Sequence, residues 1–183
     1  MAAMFGCEWT EVYGDHKPAG WMLRQAGSLP WVRFHSLPES KRYPANGEEE
    51  EIILSRAETL GDVILGEGAA CWQVECRLKE LIRPRTTLPA TGVISSTFAD
   101  DEDRDLIWNV YVSQVIWRRE TLTPILLAIA HDRVGPTLWM SRETGKIFAP
   151  YDGGFDLFPA SSDEVIQLKS HFAGWLSSHP EGL

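Results

Sequence analysis

The chain has 183 residues, 44% of them hydrophobic and 23% charged, with a formal net charge of −9. That length accommodates one core and is short for two, and the acidic balance argues against a general nucleic-acid binder, which needs a basic surplus or stripe. Three cysteines without CxxC or zinc-ligand spacing point to reduced thiols rather than a disulfide framework or a metal site.

The N-terminus carries no signal-like apolar run, and no stretch is long enough to cross a bilayer, so the expectation is a cytoplasmic protein. An acidic surface keeps such a protein in solution or draws a basic partner. Eight tryptophans, from Trp9 to Trp175, are spread too widely for one local patch and argue for a broadly anchored core.

Along the chain, residues 1 to 28 read as an irregular segment of the same domain, broken by Gly14, Pro18, Gly20 and Gly27. Asp15 and His16 read there as surface. Residues 29 to 183 read as the α+β domain proper. Leu29 to Leu37 is a short strand with Val32 and Phe34 on one face, ended by Pro38. The acidic run Glu48 to Glu51 suits the first turn of a helix. Ile53, Ala57, Leu60 and Ile64 then form its buried stripe, and Gly66 and Gly68 stop it. Cys71 to Leu78 is a strand, and Pro84 to Thr97 an irregular crossing. Leu106 to Trp117, apolar on both faces, reads as a central strand.

Thr121 reads as the cap of a helix running to about Asp132, with Pro124 in its first turn. Thr137 to Ser141 and Lys146 to Ala149 pair as a hairpin, and Phe155 to Phe158 extends the sheet. Ser161 and Glu164 form a capping box for a last helix whose stripe is Val165, Leu168, Phe172, Trp175 and Leu176. His179 to Gly182 would stop it. The sum is an α+β fold in a single domain, a mostly antiparallel sheet of about five strands packed by about three helices, without an internal repeat.

Two phrases stand out for chemistry. RFHSLPESKRYP, Arg33 to Pro44, sets Arg33, His35, Lys41, Arg42 and Tyr43 around a Ser-Leu-Pro turn. Arginine forks and a lysine point charge suit a phosphate or carboxylate, and His35 exchanges a proton near neutrality. The competing reading ties these cations to acidic loops. His35 and Ser36 point to opposite faces of a strand, a poor base–nucleophile pair, and no G-x-S-x-G elbow is present. The second phrase, APYDGGFDLFP, holds Tyr151, Asp152 and Asp156 around two glycines, which supply positive φ or close backbone approach. Its carboxylates lack a full metal-ligand set, and one of them could pair with Arg33 or Arg42. Arg83 and Arg85 add only local basic charge. Cys71 and Cys76 suit small buried residues better than nucleophiles. His131 and His171 suit structural roles, since no HExxH pattern occurs.

The stretches WVRFHSLPESKRYP, YVSQVIWR, APYDGGFDLFP and WLSSHPEGL together resemble a bacterial family, domain of unknown function 3885, found mostly in actinobacterial proteins. The resemblance covers most of residues 21 to 183. It implies one bacterial cytosolic domain and carries no catalytic residue, cofactor or substrate with it.

Two functions follow as expectations. The first is a non-enzymatic binding protein, regulatory or immunity-like, whose partner is a protein or a small anionic ligand held by Arg33, His35, Lys41, Arg42, Tyr43 and Tyr151. The second is a small hydrolase or transferase acting on a phosphate-containing substrate. There Arg33, Lys41 and Arg42 hold the anion, His35 moves a proton, and Asp152 or Asp156 orients it. Neither calls for a cofactor or a metal.

Overall fold

The computed structural model describes residues 1–79, 92–101 and 103–176. Its frame follows from two-residue alternation along the apolar strands. Within Ala70–Leu78 (β2), Trp72, Val74 and Cys76 enter one core, while Cys71 enters the other. Thr137–Ser141 (β5) splits the same way, Leu138 and Met140 against Trp139. A sheet that buries both faces needs helices on both, and the chain supplies them.

The remaining strands are Val32–His35 (β1), Val93–Ala99 (β3), Ile107–Ile116 (β4), Ile147–Tyr151 (β6) and Gly154–Phe158 (β7). All seven described strands form one sheet in the order β1-β7-β6-β5-β2-β4-β3, every neighbouring pair antiparallel. The fold is thus mixed α/β on an antiparallel sheet, with more strands and helices than the sequence suggests. β4 does not sit centrally: it is next to the edge, between β2 and β3. Its apolar content on both faces misled the reading, because several of those residues are only half-buried.

One face carries Gly47–Leu65 (α3), Arg119–Ala130 (α4) and Ser162–His171 (α5). Asn46 caps α3 by accepting the Glu49 amide at 3.0 Å, and Glu48 to Glu50 fill its first turn. Ile53, Ala57, Leu60 and Ile64 are buried as their spacing demands. Gly61 lets α3 close on the Trp117 ring, since a Cβ there would lie 1.9 Å from a ring carbon. Trp117 also donates its indole N–H to Asp62 at 2.7 Å and meets Trp139 and Phe148 edge-on. Ser161 caps α5 as expected, its hydroxyl accepting the Glu164 amide, while the Glu164 carboxylate accepts the Ala160 amide rather than that of Ser161 and so leaves the box half-formed. α4 begins at Arg119, not at Thr121, whose hydroxyl donates to the Arg118 carbonyl instead of capping.

The other face is covered by Ala2–Tyr13 (α1) and Gly20–Gln25 (α2). Here the expectation of irregular structure over residues 1 to 28 fails. Phe5, Trp9 and Tyr13, four residues apart, bury one stripe of α1, with Phe5 edge-on to Trp72. No side chain caps this helix, so local signals are weak and tertiary burial stabilises it. β3 is likewise a strand from Val93, where an irregular crossing was expected. Its bulge near Ile94 and Ser96 and its exposed residues blur the alternation. The first part of that crossing (residues 84–91), Arg83 and Arg85, and the proposed helix stop at 179–182 lie outside the described residues.

Among the described residues no helix is long and apolar enough to cross a membrane.

Candidate functional site

The two polar phrases meet because β1 pairs with β7. Arg33 is the register partner of Asp156, and His35 of Gly154. Gly153 and Gly154 serve close approach rather than positive φ, which neither adopts. A Cβ on Gly154 would lie 2.3 Å from the Phe34 carbonyl oxygen. The Ser36 amide donates to the Gly153 carbonyl across the same junction.

Arg33 makes a two-pronged bond to Asp156, Nε to Oδ1 at 2.7 Å and Nη2 to Oδ2 at 2.9 Å. Both side chains are nearly buried, 12% and 5% exposed. Burial alone would lower the guanidinium pKa, but the hydrogen bonds and charge of Asp156 outweigh it and raise it. The guanidinium also lies 4.5 Å from the centre of the Tyr151 ring and 5.5 Å from that of Trp31. Burial pushes the Tyr151 phenol up to about 12, so it stays neutral.

Arg42 Nε and the Tyr43 hydroxyl both donate to Asp152 Oδ2 at 2.7 Å. Lys41 holds both Glu49 oxygens at 2.6 Å. Arg33, Lys41 and Arg42 therefore each have a carboxylate of this chain as partner. The pairing the sequence raised, an aspartate of the glycine phrase with Arg33 or Arg42, occurs twice.

His35 and Ser36 do diverge, with Ser36 buried and His35 half-buried. The His35 ring meets a different serine: its Nε2 lies 3.1 Å from Ser40 Oγ. Burial, then the charge of Arg33, holds the imidazole pKa below its ordinary value, against an opposing backbone hydrogen bond at Gly153. Glu39 and Ser40 both take left-handed φ of 57°, an uncommon conformation for side-chain-bearing residues.

Beside this junction a cleft of about 400 Å³ opens between α2, the end of α4 and the β6–β7 turn. Tyr151, Asp156 and Arg33 form part of its wall, and Asp152 its rim. Trp21 and Arg24 come from α2, in the segment expected to be irregular. Arg24 makes no hydrogen bond or ion pair among the described residues, and its Nε is buried without a partner. Sequence reasoning missed both residues. The available signal was the Trp-Met-Leu-Arg run after Gly20, which has helical spacing but spans less than two turns. Of the candidates, Arg33, Tyr151, Asp152 and Asp156 line the cleft, whereas His35, Lys41, Arg42 and Tyr43 do not.

The remaining sequence candidates lie outside this cleft. The glutamates at the start of α3 have partners: Glu50 meets His131 Nε2 at 2.7 Å and Glu51 meets Arg119 at 2.7 Å. His171 stands edge-on to Phe172. Cys71 and Cys76 are buried, which pushes both thiols up and away from reactivity. No group of three or more His, Cys, Asp or Glu among the described residues could hold a metal ion.

A helix-covered antiparallel sheet with a paired-charge junction beside a small cleft is the class these observations define. Residues 19–180 match the family described as Domain of unknown function (DUF3885), and the chain belongs to that family. The matched span begins just before α2 and so includes both polar phrases and the cleft residues of that helix. No curated protein and no solved structure matches the chain.

Proposed function

We propose that the protein is a non-enzymatic cytoplasmic binding protein, and that its ligand enters the cleft between α2 and the β6–β7 turn. The observation that carries this reading is the way the cleft is built. A wall of Arg33, Asp156 and Tyr151 borders the same cleft as an arginine, Arg24, with no carboxylate partner among the described residues. Apolar groups from Trp21, Val134 and Pro150 complete the lining. A concave, largely preformed mixture of apolar surface and fixed polar groups suits a small-molecule site. The sequence-based candidates for acid–base work fit catalysis less well. Asp156 and Asp152 already accept arginine donors, and His35 lies outside the cleft lining.

Backbone amide shifts on adding a small-molecule extract of the host cell test the reading. Perturbations gathered on Gly20, Trp21, Gly135 and Tyr151 support it. Perturbations elsewhere, or none, overturn it.

One observation favours a second reading, a hydrolase or transferase. The Ser40 hydroxyl sits within hydrogen-bond reach of an imidazole held neutral, which is the arrangement that activates a hydroxyl nucleophile. The phosphate-holding part of that reading is weaker, because each of its three cations is already paired. Labelling by a fluorophosphonate, abolished in Ser40→Ala and His35→Gln, is its expected signature. Absence of labelling removes it.

A further inference from the structure

Two charges that line the cleft have their counter-charge within the chain, and among the described residues Arg24 differs. Arg33 answers Asp156, and Arg42, from outside, answers Asp152. Asp132, which also lines the cleft, is close enough to Arg42 and Tyr43 to act on both and has contacts of its own. Arg24 is the guanidinium left over. It stands in the last turn of α2, close enough to Tyr151 to act on its phenol, with a buried Nε that has no acceptor among the described residues. A buried donor without an acceptor is costly to keep, and water reaches that nitrogen poorly.

The site's chemistry selects the group that would answer it. A guanidinium fork matches a planar carboxylate through two parallel hydrogen bonds. A phosphate dianion would bring a second negative charge into a cleft lined by Asp132, Asp152 and Asp156, where like charges repel. Besides Arg33, Tyr151 and Thr137, the lining has an apolar part: Trp21, held in place against Trp108 and Phe98, with Ile129, Val134, Pro136 and Pro150. A volume of about 400 Å³ admits a small molecule, not a folded partner.

We propose that the cleft binds a small monocarboxylate with an apolar body, its carboxylate on Arg24 and its body against Trp21. This inference rests on the cleft being the ligand site and adds the class of ligand.

Phenylacetate is the probe, with 2-phenylethanol as the uncharged control and phenyl phosphate as the dianion. The readout is the chemical shift of the Trp21 indole N–H and of the cleft amides. Phenylacetate is expected to bind about tenfold or more tightly than either control, and Arg24→Gln to remove that advantage. Arg24→Lys, which keeps the charge without the fork, should retain part of it. Thermal melts of both variants are expected to match the parent, which separates a lost contact from a lost fold. Equal binding of 2-phenylethanol, tighter binding of phenyl phosphate, or phenylacetate binding indifferent to Arg24→Gln overturns the carboxylate assignment while the cleft stands as the site. Silence of the cleft amides to all three probes also overturns it. If the host extract leaves them silent as well, the binding reading falls with it.

Discussion

Two arginines nine positions apart, Arg33 and Arg24, border the same cleft and have opposite surroundings. Arg33 belongs to a strand whose neighbour presents Asp156 at the matching register, so two hydrogen bonds and a ring face hold its guanidinium. Arg24 belongs to a short helix laid over the sheet end, and no carboxylate among the described residues answers it. The first is tied into the fold, and the second is the group to which the proposal assigns a ligand. Charged residues in a promising cluster are therefore poor evidence of a ligand site until their partners within the chain are known. The basic phrase that looked most like an anion site, Arg33 to Arg42, is the part most completely neutralised from inside.

This contrast can be broken most sharply at Asp156. Replacing it by Ala leaves Arg33 nearly buried without a counter-charge, and stability measured by urea unfolding should fall by roughly 3–5 kcal/mol. An Arg33→Met, Asp156→Leu double variant should recover most of the loss, because the penalty lies in the unpaired charge. A smaller effect is expected at the junction itself. Gly154→Ala forces a Cβ toward the Phe34 carbonyl, and separation of β1 from β7 should lower stability by about 1–3 kcal/mol.

Acidification should weaken the fold in two steps. The folded His35 imidazole titrates below its ordinary value of 6.5, chiefly because it is partly buried and then because Arg33 is near. The unfolded chain thus takes up that proton first as pH falls through 6.5, and stability declines until the folded pKa is passed. Glu8 titrates below its ordinary 4.5, through hydrogen bonds from Arg142 and Trp72 that outweigh its partial burial. Its contribution is complete above 4.5 and is lost as pH falls through the lower folded value. Urea midpoints at a series of pH values should show both steps, with His35→Gln removing the upper one and Glu8→Gln the lower.

The outer ion pair should matter less. Arg42 is 64% exposed, so Arg42→Ala should change the unfolding free energy by about 1 kcal/mol or less, and less still in high salt. The smallest effect is expected at Arg24. With no hydrogen-bond partner to lose among the described residues, Arg24→Gln should alter stability by no more than about 0.5 kcal/mol. A larger loss at Arg24 would make the two arginines alike and remove the basis for the contrast.

Much of this architecture was legible from periodicity. The stripe of α3, its acidic first turn and its glycine stop, the β5–β6 hairpin and the Ser161 cap all reflect contacts within one turn or between adjacent strands. Such contacts depend on residues near in sequence, and so the sequence by itself determined them. It also determined that the two polar phrases are special, though not in what way. Tertiary structure alone decided that α1 and α2 are helices, since uncapped Phe5, Trp9 and Tyr13 gain their stability from burial on a distant strand. It alone placed β4 beside the edge strand β3 and brought Asp152 and Asp156 to the arginines of β1 and the turn after it, across more than a hundred residues. The free guanidinium of Arg24 belongs to the same category. Whether a charge is paired depends on which distant segments fold against it, and no local pattern carries that information.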